Sequence, residues 1–332
     1  MEARYYKQIG NEVQCALCPH ECRIKSGNTG ICKVRRNNEG RLITENYSKL
    51  SAIHLDPIEK KPLYHFHPGK FILSIGSMGC NMHCSCCQNW QISQSPADGF
   101  PFGDLYKPEQ IASLALSHRN NIGIAYTYNE PVVWFEYMLD TAVLIKQNGM
   151  KNVVVSNGYI NAEPLNELLN YTDAFNIDLK AFSGKFYRSI TGAKLEPVLT
   201  ALQMISKAKK HLEITCLIIP SLNDDPMDFK EMVSWIAGKL GSHTVLHLSR
   251  YHPAYKMEED STPSLTLEKL YAIAAKKLNY VYVGNIYLKD YQDTKCSRCG
   301  KTVIRRSGYR VERRMLTEQG HCAHCGNKIV SH

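Results

Sequence analysis

Six short apolar runs, each closed by polar or turn residues, recur through the middle of this 332-residue chain, at 71–75, 123–127, 152–156, 175–179, 212–219 and 244–248. Runs of that length between breakers read as buried strands. Between them the apolar period lengthens. In 226–240, Phe229, Met232, Val233, Ile236 and Leu240 fall three or four apart, which places one apolar stripe on one helix face. Comparable patterns cover 108–120, 131–147, 162–170 and 265–278. Pro108, Pro131 and Pro226 suit first helical turns, where the missing N–H would have no partner anyway. Strand–helix units in series require parallel pairing and right-handed crossovers, so the expected fold is α/β, a parallel sheet curled into a partial barrel with helices outside. Three regions follow: a Cys-rich N-terminal segment (1–70), the barrel (71–286) and a tail (287–332).

In such a barrel, chemistry belongs at the C-terminal ends of the strands. Each run here hands over to a polar motif in that position: the cysteine-rich loop after the first, Thr127-Tyr128-Asn129-Glu130-Pro131 after the second, Ser156-Asn157-Gly158 after the third, Asp178-Leu179-Lys180 after the fourth, Pro220 to Asp224 after the fifth, and Ser249 to Pro253 after the sixth. The first is the most specific. Cys80, Cys84 and Cys87 are spaced CxxxCxxC in GSMGCNMHCSCCQNW, offering an iron–sulfur cluster three thiolates. A tetranuclear cluster has four irons, so one keeps a position open to an exogenous ligand, which suits chemistry better than electron storage. Structural zinc sites, by contrast, are closed by four protein ligands. Cys86 is read as a bystander, and Gln88 and Trp90 as residues that help cover the cluster.

These residues carry a resemblance. CxxxCxxC after a first strand is the signature of radical S-adenosylmethionine (SAM) enzymes. DPIEKKPLYHFHPG (from Asp56), CQNWQISQ (from Cys87), TYNEP (from Thr127) and HLSRYHPAYKM (from His247) resemble the AmmeMemoRadiSam-system members, relatives of pyruvate formate-lyase activating enzymes. The resemblance runs from about Cys15 to the C-terminus. It implies a partial (β/α)6 TIM-like barrel, a [4Fe–4S] cluster, and SAM chelating the open iron through its amino and carboxylate groups. Asn129 and Glu130 then face SAM, with Glu130 accepting from its ammonium group, although Tyr128-Asn129-Glu130 lacks the usual glycine pair of a GGE-type motif. Ser156 and Asn157 bond the ribose hydroxyls or the carboxylate. Asp178, Lys180 and His252 match pocket-lining residues of activating enzymes. Val155 stands where those relatives carry an acid, so no monovalent cation is expected. The implied reaction is reductive cleavage of SAM to a 5′-deoxyadenosyl radical that abstracts hydrogen from a protein or a small molecule, driven by a one-electron reductant such as ferredoxin or flavodoxin. A protein substrate or partners in a multi-protein system are expected.

Two further cysteine sets offer metal ligands. Cys15, Cys18, Cys22 and Cys32 form CxxCxxxC with a fourth thiol beyond, enough for a closed four-thiolate site. Structural zinc is the expectation there and an auxiliary iron–sulfur cluster the alternative, since thiolates suit both metals. Cys296-x2-Cys299 and Cys322-x2-Cys325 make a zinc-ribbon pattern, with Gly300 and Gly326 suited to the knuckle turns.

Composition narrows the remaining classes. At 44% hydrophobic and 21% charged, the chain can bury a large core and is neither disordered nor fibrous. No run reaches the ~20 apolar residues of a membrane span and the N-terminus has no apolar signal core, so a cytoplasmic location is expected. Thirteen cysteines in such a chain read as metal ligands kept reduced. Of the net charge of +9, the tail from Tyr287 contributes +6, with ten Lys or Arg against four acids. Part of that offsets a tetrathiolate metal site. The remainder leaves an alternative open: an RNA-modifying enzyme that docks nucleic acid through Arg305, Arg306, Arg313 and Arg314. A non-enzymatic cluster- or zinc-binding adaptor is a third class.

Overall fold

The structure, a computed structural model, describes residues 1–97 and 105–331; the expected barrel contains 98–104 and the tail ends at His332, which lie outside them. Seven parallel strands form the centre: Phe71–Gly76, Asn121–Tyr126, Lys151–Ser156, Ala174–Asp178, His211–Ile218, Val245–Arg250 and Tyr280–Gly284. They lie side by side in chain order, and Ala52–Pro57 adds an antiparallel edge strand against Phe71–Gly76. The sheet thus has eight strands rather than six. Ala52–Pro57 escapes a pattern search because its burial does not alternate and its middle is exposed. Tyr280–Gly284 is only five residues long and directly follows a helical pattern. Pairing of Ala52–Pro57 also places the start of the barrel sheet before the expected boundary at residue 70.

The helices follow the expected positions within a few residues: Pro108–Ser117, Phe135–Gln147, Ala162–Leu169, Pro226–Lys239 and Ser264–Ala274. One more, Leu195–Lys207, fills the crossover before His211–Ile218; it buries Leu195, Val198, Ala201, Leu202 and Ile205, a helical stripe present in the sequence. Pro131 opens a 3₁₀ turn instead of the α-helix itself, and Glu130 caps it by accepting from the Val132 N–H. Among the described residues no helix is long and apolar enough to cross a membrane.

One face of the sheet packs its Ile, Val and Leu against the helices. The other is plugged by the DPIEKKPLYHFHPG segment. Ile58, Leu63 and Phe66 pack on Ile72, Ala125, Val153 and Ala174, and Tyr64 packs on Val245, Tyr280 and Tyr282. The plug is fastened by Glu213, a fully buried carboxylate that accepts from the Tyr64 and His65 N–H groups at 2.9 and 2.7 Å and pairs with His211 and His247 at 2.8 and 2.6 Å. Burial alone would raise its pKa, but these partners hold it well below the usual carboxylate range.

The N-terminal segment folds as a three-stranded antiparallel sheet (Tyr6–Ile9, Glu12–Cys15, Arg23–Lys25) and a hairpin (Arg35–Asn38, Arg41–Thr44). The tail forms a second small antiparallel sheet, Thr294–Lys295, Thr302–Ser307 and Arg310–Arg313. It docks on the plug: His65 Nδ1 bonds the Ile329 carbonyl at 2.6 Å and the Ser331 N–H donates to the His65 carbonyl at 2.7 Å.

Candidate active site

The loop after Phe71–Gly76 carries the three cysteines. Gly79 takes φ +81°, and a Cβ there would stand 2.5 Å from the Cys32 carbonyl oxygen, so only glycine lets this loop lie against the N-terminal module. Asn129 pins the loop from the next strand end: its Oδ1 accepts from the Ser77 N–H at 3.0 Å and its Nδ2 donates to the Gly79 carbonyl at 2.9 Å. Asn89 Nδ2 donates to the Tyr128 carbonyl at 2.7 Å. Tyr128 itself holds φ +71°, a conformation glycine prefers, so a tyrosine occupies glycine-like backbone where the glycine pair is missing. Its hydroxyl donates to Asp56 Oδ2 at 2.5 Å, and Lys61 Nζ lies 4.4 Å from its ring centroid, contacts that offset the backbone cost.

Donors reach the sulfurs from several directions. Cys80 Sγ accepts from the Met82 N–H at 3.3 Å and from Asn157 Nδ2 at 3.7 Å, and Cys87 Sγ lies 3.1 Å from Ser93 Oγ. Burial pushes the Cys84 thiol up to about 12, against the pull of Lys180. One buried and two half-buried thiols, with polar groups close to two of them, suit metal-bound thiolates, whose charge such donors stabilise. Cys86 is buried beside them and has no hydrogen bond to this set.

The expected SAM-facing residues divide into connected groups. Glu130, 2% exposed, accepts from Ser156 Oγ at 2.7 Å and from the Asn157 N–H at 2.8 Å. Burial raises its carboxyl to about 7 despite these donors. With the Val132 N–H as a third donor, Glu130 braces two strand ends. Asn157 joins this brace to the cluster loop through Asn81 Oδ1 at 2.9 Å. Gly158, φ +70°, sits where a Cβ would meet Ile177 Cγ2 at 2.9 Å. Lys180 Nζ donates to Asp178 Oδ2 at 2.8 Å. Burial works against the lysine's charge, but Asp178 and Cys84 outweigh it and raise its pKa well above the usual value. His252 bonds Ser261 at 3.0 Å; its loop reaches the cysteines through the Lys256 N–H, which donates to the Ser85 carbonyl at 3.0 Å, and through Tyr255, stacked on Trp90 at 5.3 Å.

Residues 74–236 match the model of the radical SAM superfamily. An uncharacterised protein of Methanocaldococcus jannaschii is 41% identical over 99% of this chain and 98% of its own. The chain belongs to the radical SAM superfamily. It is a radical SAM enzyme. A pyruvate formate-lyase-activating enzyme of Listeria monocytogenes is 23% identical over 48% of this chain and 66% of its own. A radical SAM methyltransferase of Sphaerobacter thermophilus shares the fold at TM-score 0.53 and 12% identity, over 66% of this chain and 67% of that one. The superfamily brings a [4Fe–4S] cluster and SAM-cleaving radical chemistry.

This radical SAM enzyme also contains a cavity of about 420 Å³ on the plugged face, lined by Gln88, Lys60, Tyr64, Thr215, His247 and Ser249 among others. Gln88, next to Cys87, links it to the cluster loop. The Asp56–Lys61–Tyr128 group was not singled out from the sequence. Its signal was present in the DPIEKKP text, but only the fold shows Lys61 buried at 2.7 Å from Asp56. Among the described residues, Cys296, Cys299, Cys322 and Cys325 alone bring three or more His, Cys, Asp or Glu ligand atoms within 4.8 Å of one another. Of the arginines offered for RNA contact, Arg306 is taken up inside the molecule, whereas Arg305, Arg313 and Arg314 are exposed and make local contacts. Arg306 is 4% exposed, Arg305 lies 3.6 Å from Asp293, Arg313 donates to the Pro68 carbonyl at 3.0 Å, and Arg314 pairs with Glu312 at 3.2 Å. Arg306 and Arg313 tie the tail to the plug, while Arg305 and Arg314 pair within the tail.

Proposed function

We propose that this enzyme is an activase-like radical SAM enzyme of the AmmeMemoRadiSam type, abstracting hydrogen from a substrate that enters the 420 Å³ cavity. The observation that carries the reading is the convergence on one loop of three cysteines, one buried and two half-buried, their Asn157 and Ser93 contacts, and the Asn129–Glu130–Ser156 brace. Cys80, Cys84 and Cys87 would hold the cluster. Bound there, it supplies the electron that cleaves SAM to methionine and a 5′-deoxyadenosyl radical.

The chain's own residues then position and shield. Asn157 tunes the cluster by donating toward Cys80 Sγ. Asp178 suits the SAM ammonium group and Lys180 its carboxylate. Trp90 and Tyr255 form a stacked cover over the loop. Lys60, His247 and the rim tyrosines Tyr287 and Tyr309 give the cavity polar and aromatic contacts that suit an extended polar substrate such as a protein loop. A ferredoxin or flavodoxin would supply the electron. In the tail, Sγ–Sγ separations of 3.5 Å (Cys296–Cys325) and 3.8 Å (Cys299–Cys322) suit zinc, whose four thiolates at about 2.3 Å lie roughly 3.8 Å apart.

The test is anaerobic reconstitution with iron and sulfide, then dithionite and SAM, with 5′-deoxyadenosine measured. Product should form with the native chain and vanish in Cys84→Ala. Equal product from both would refute the reading. Deuterium transferred into 5′-deoxyadenosine from a labelled candidate protein would identify the substrate.

A further inference from the structure

Three cysteine sets can be compared within one molecule. The tail set is closed to the spacing of a single tetrahedral ion. The other two are not: no three sulfurs of Cys80, Cys84 and Cys87, and no three of Cys15, Cys18, Cys22 and Cys32, lie within 4.8 Å of one another. The N-terminal four are nevertheless gathered, since all of them line one cavity of about 20 Å³ with Arg35 and Asn81. Like the radical SAM triad, they are not closed to single-ion spacing, and a polynuclear cluster spreads its thiolates over several metal ions.

A second observation points to an anion in that cavity. Arg35 is 1% exposed, and its terminal nitrogens are taken: Nη2 by Glu136 at 2.8 Å and the Arg4 carbonyl at 2.8 Å, Nη1 by Glu136 at 3.2 Å. Its Nε is buried with no partner among the described residues. A buried donor left unmade is costly, and sulfur of a thiolate-ligated cluster would accept from it.

We infer that Cys15, Cys18, Cys22 and Cys32 hold a second iron–sulfur cluster, not zinc, and that it lies on the electron path to the cluster at Cys80, Cys84 and Cys87. The two sites share a wall. Gly79, beside Cys80, packs on the Cys32 carbonyl; Asn81, on the other side of Cys80, lines the N-terminal cavity and accepts at its carbonyl from His20 Nε2 at 2.7 Å. In one transfer an external one-electron protein reductant of the ferredoxin or flavodoxin class is oxidised by one electron. The N-terminal cluster is reduced and then reoxidised, and the second cluster is reduced, with no bond made or broken. The relay rests on the radical SAM reading; the cluster assignment does not.

The experiment reconstitutes the full chain anaerobically with iron, sulfide and zinc, and counts metals. The native chain should carry about eight iron and eight sulfide with one zinc. Cys80→Ser/Cys84→Ser/Cys87→Ser should keep about half the iron, with a reduced-state EPR signal that SAM does not alter. Cys18→Ser/Cys22→Ser should keep the other half, with a signal that SAM does alter. It should cleave SAM with dithionite but at least tenfold more slowly than the native chain with flavodoxin. Two zinc and about four iron in the native chain would overturn the cluster, and that count stands even if a variant fails to fold. Equal rates with flavodoxin in the native chain and the Cys18/Cys22 variant would overturn the relay. If no chain cleaves SAM while the triple variant still holds iron, the enzymatic reading fails and the second cluster stands.

Discussion

Replacing Arg306 with methionine tests whether the tail's basic residues are structural. The guanidinium is fully buried; Nη1 donates to Thr294 Oγ1 at 2.7 Å and to the Gln292 carbonyl at 3.2 Å, and Nη2 to the Tyr64 carbonyl at 2.8 Å. It also lies 4.2 Å from the Tyr64 ring centroid. Its Nε stands 3.8 Å from Glu59 Oε1, too long for a hydrogen bond, so that pairing is Coulombic. Glu59 is equally buried, and burial holds its carboxyl above the usual range even with the cation present. Arg306→Met leaves this carboxylate with the Gly69 N–H at 2.9 Å as its donor. Breaking a buried pair from one side costs about 3–5 kcal/mol. Most of that should return in Arg306→Met/Glu59→Gln, because the uncompensated charge is removed while the apolar stem is kept. Urea denaturation of the zinc-loaded chain followed by circular dichroism, with limited proteolysis of the tail, reads both. A loss below about 1 kcal/mol in the single variant, or no recovery in the double one, would refute the reasoning.

Three other outcomes are expected. A carbonyl only accepts, so His65 Nδ1 carries the hydrogen toward Ile329 and neutral Nε2 accepts from the Tyr282 hydroxyl at 2.6 Å. Burial lowers this imidazole from 6.5 to about 4. Between those values the unfolded chain binds the extra proton, so stability should fall as pH drops from about 6.5 to 4, by at most ~3 kcal/mol, and His65→Phe should flatten that limb in pH-dependent denaturation. Asn157→Leu should keep the iron at Cys80, Cys84 and Cys87 but lower that cluster's potential and cut 5′-deoxyadenosine formation about tenfold, through loss of a hydrogen bond to a charged group worth about 1.5 kcal/mol; an unchanged redox titration would contradict this. Removing tail zinc by chelation, or Cys322→Ala, should expose residues beyond 287 to protease while the barrel's circular dichroism persists; an equally resistant tail would contradict a folding role for the metal.

Local pattern alone determines most of the barrel. The strands lie where apolar runs meet turn residues, and the cysteine loop is legible because its spacing is a property of adjacent positions. The helix Leu195–Lys207 carried a readable stripe as well. Ala52–Pro57 did not, because an antiparallel edge strand with an exposed middle leaves no clean alternation, and its place depends on a partner some twenty residues away.

What only the tertiary structure decided concerns residues whose meaning depends on distant neighbours. That the Glu130 carboxylate also braces Ser156 and Asn157 is visible only in the fold. Arg306 reads as a surface cation and is buried against Tyr64, 242 positions away. The three cysteine sets look alike as donors, and among the described residues folding closes only the tail set to the spacing of a single ion. Spacing along the chain fixes which ligands can converge. How far apart they stop is set by packing around them, which no local pattern records.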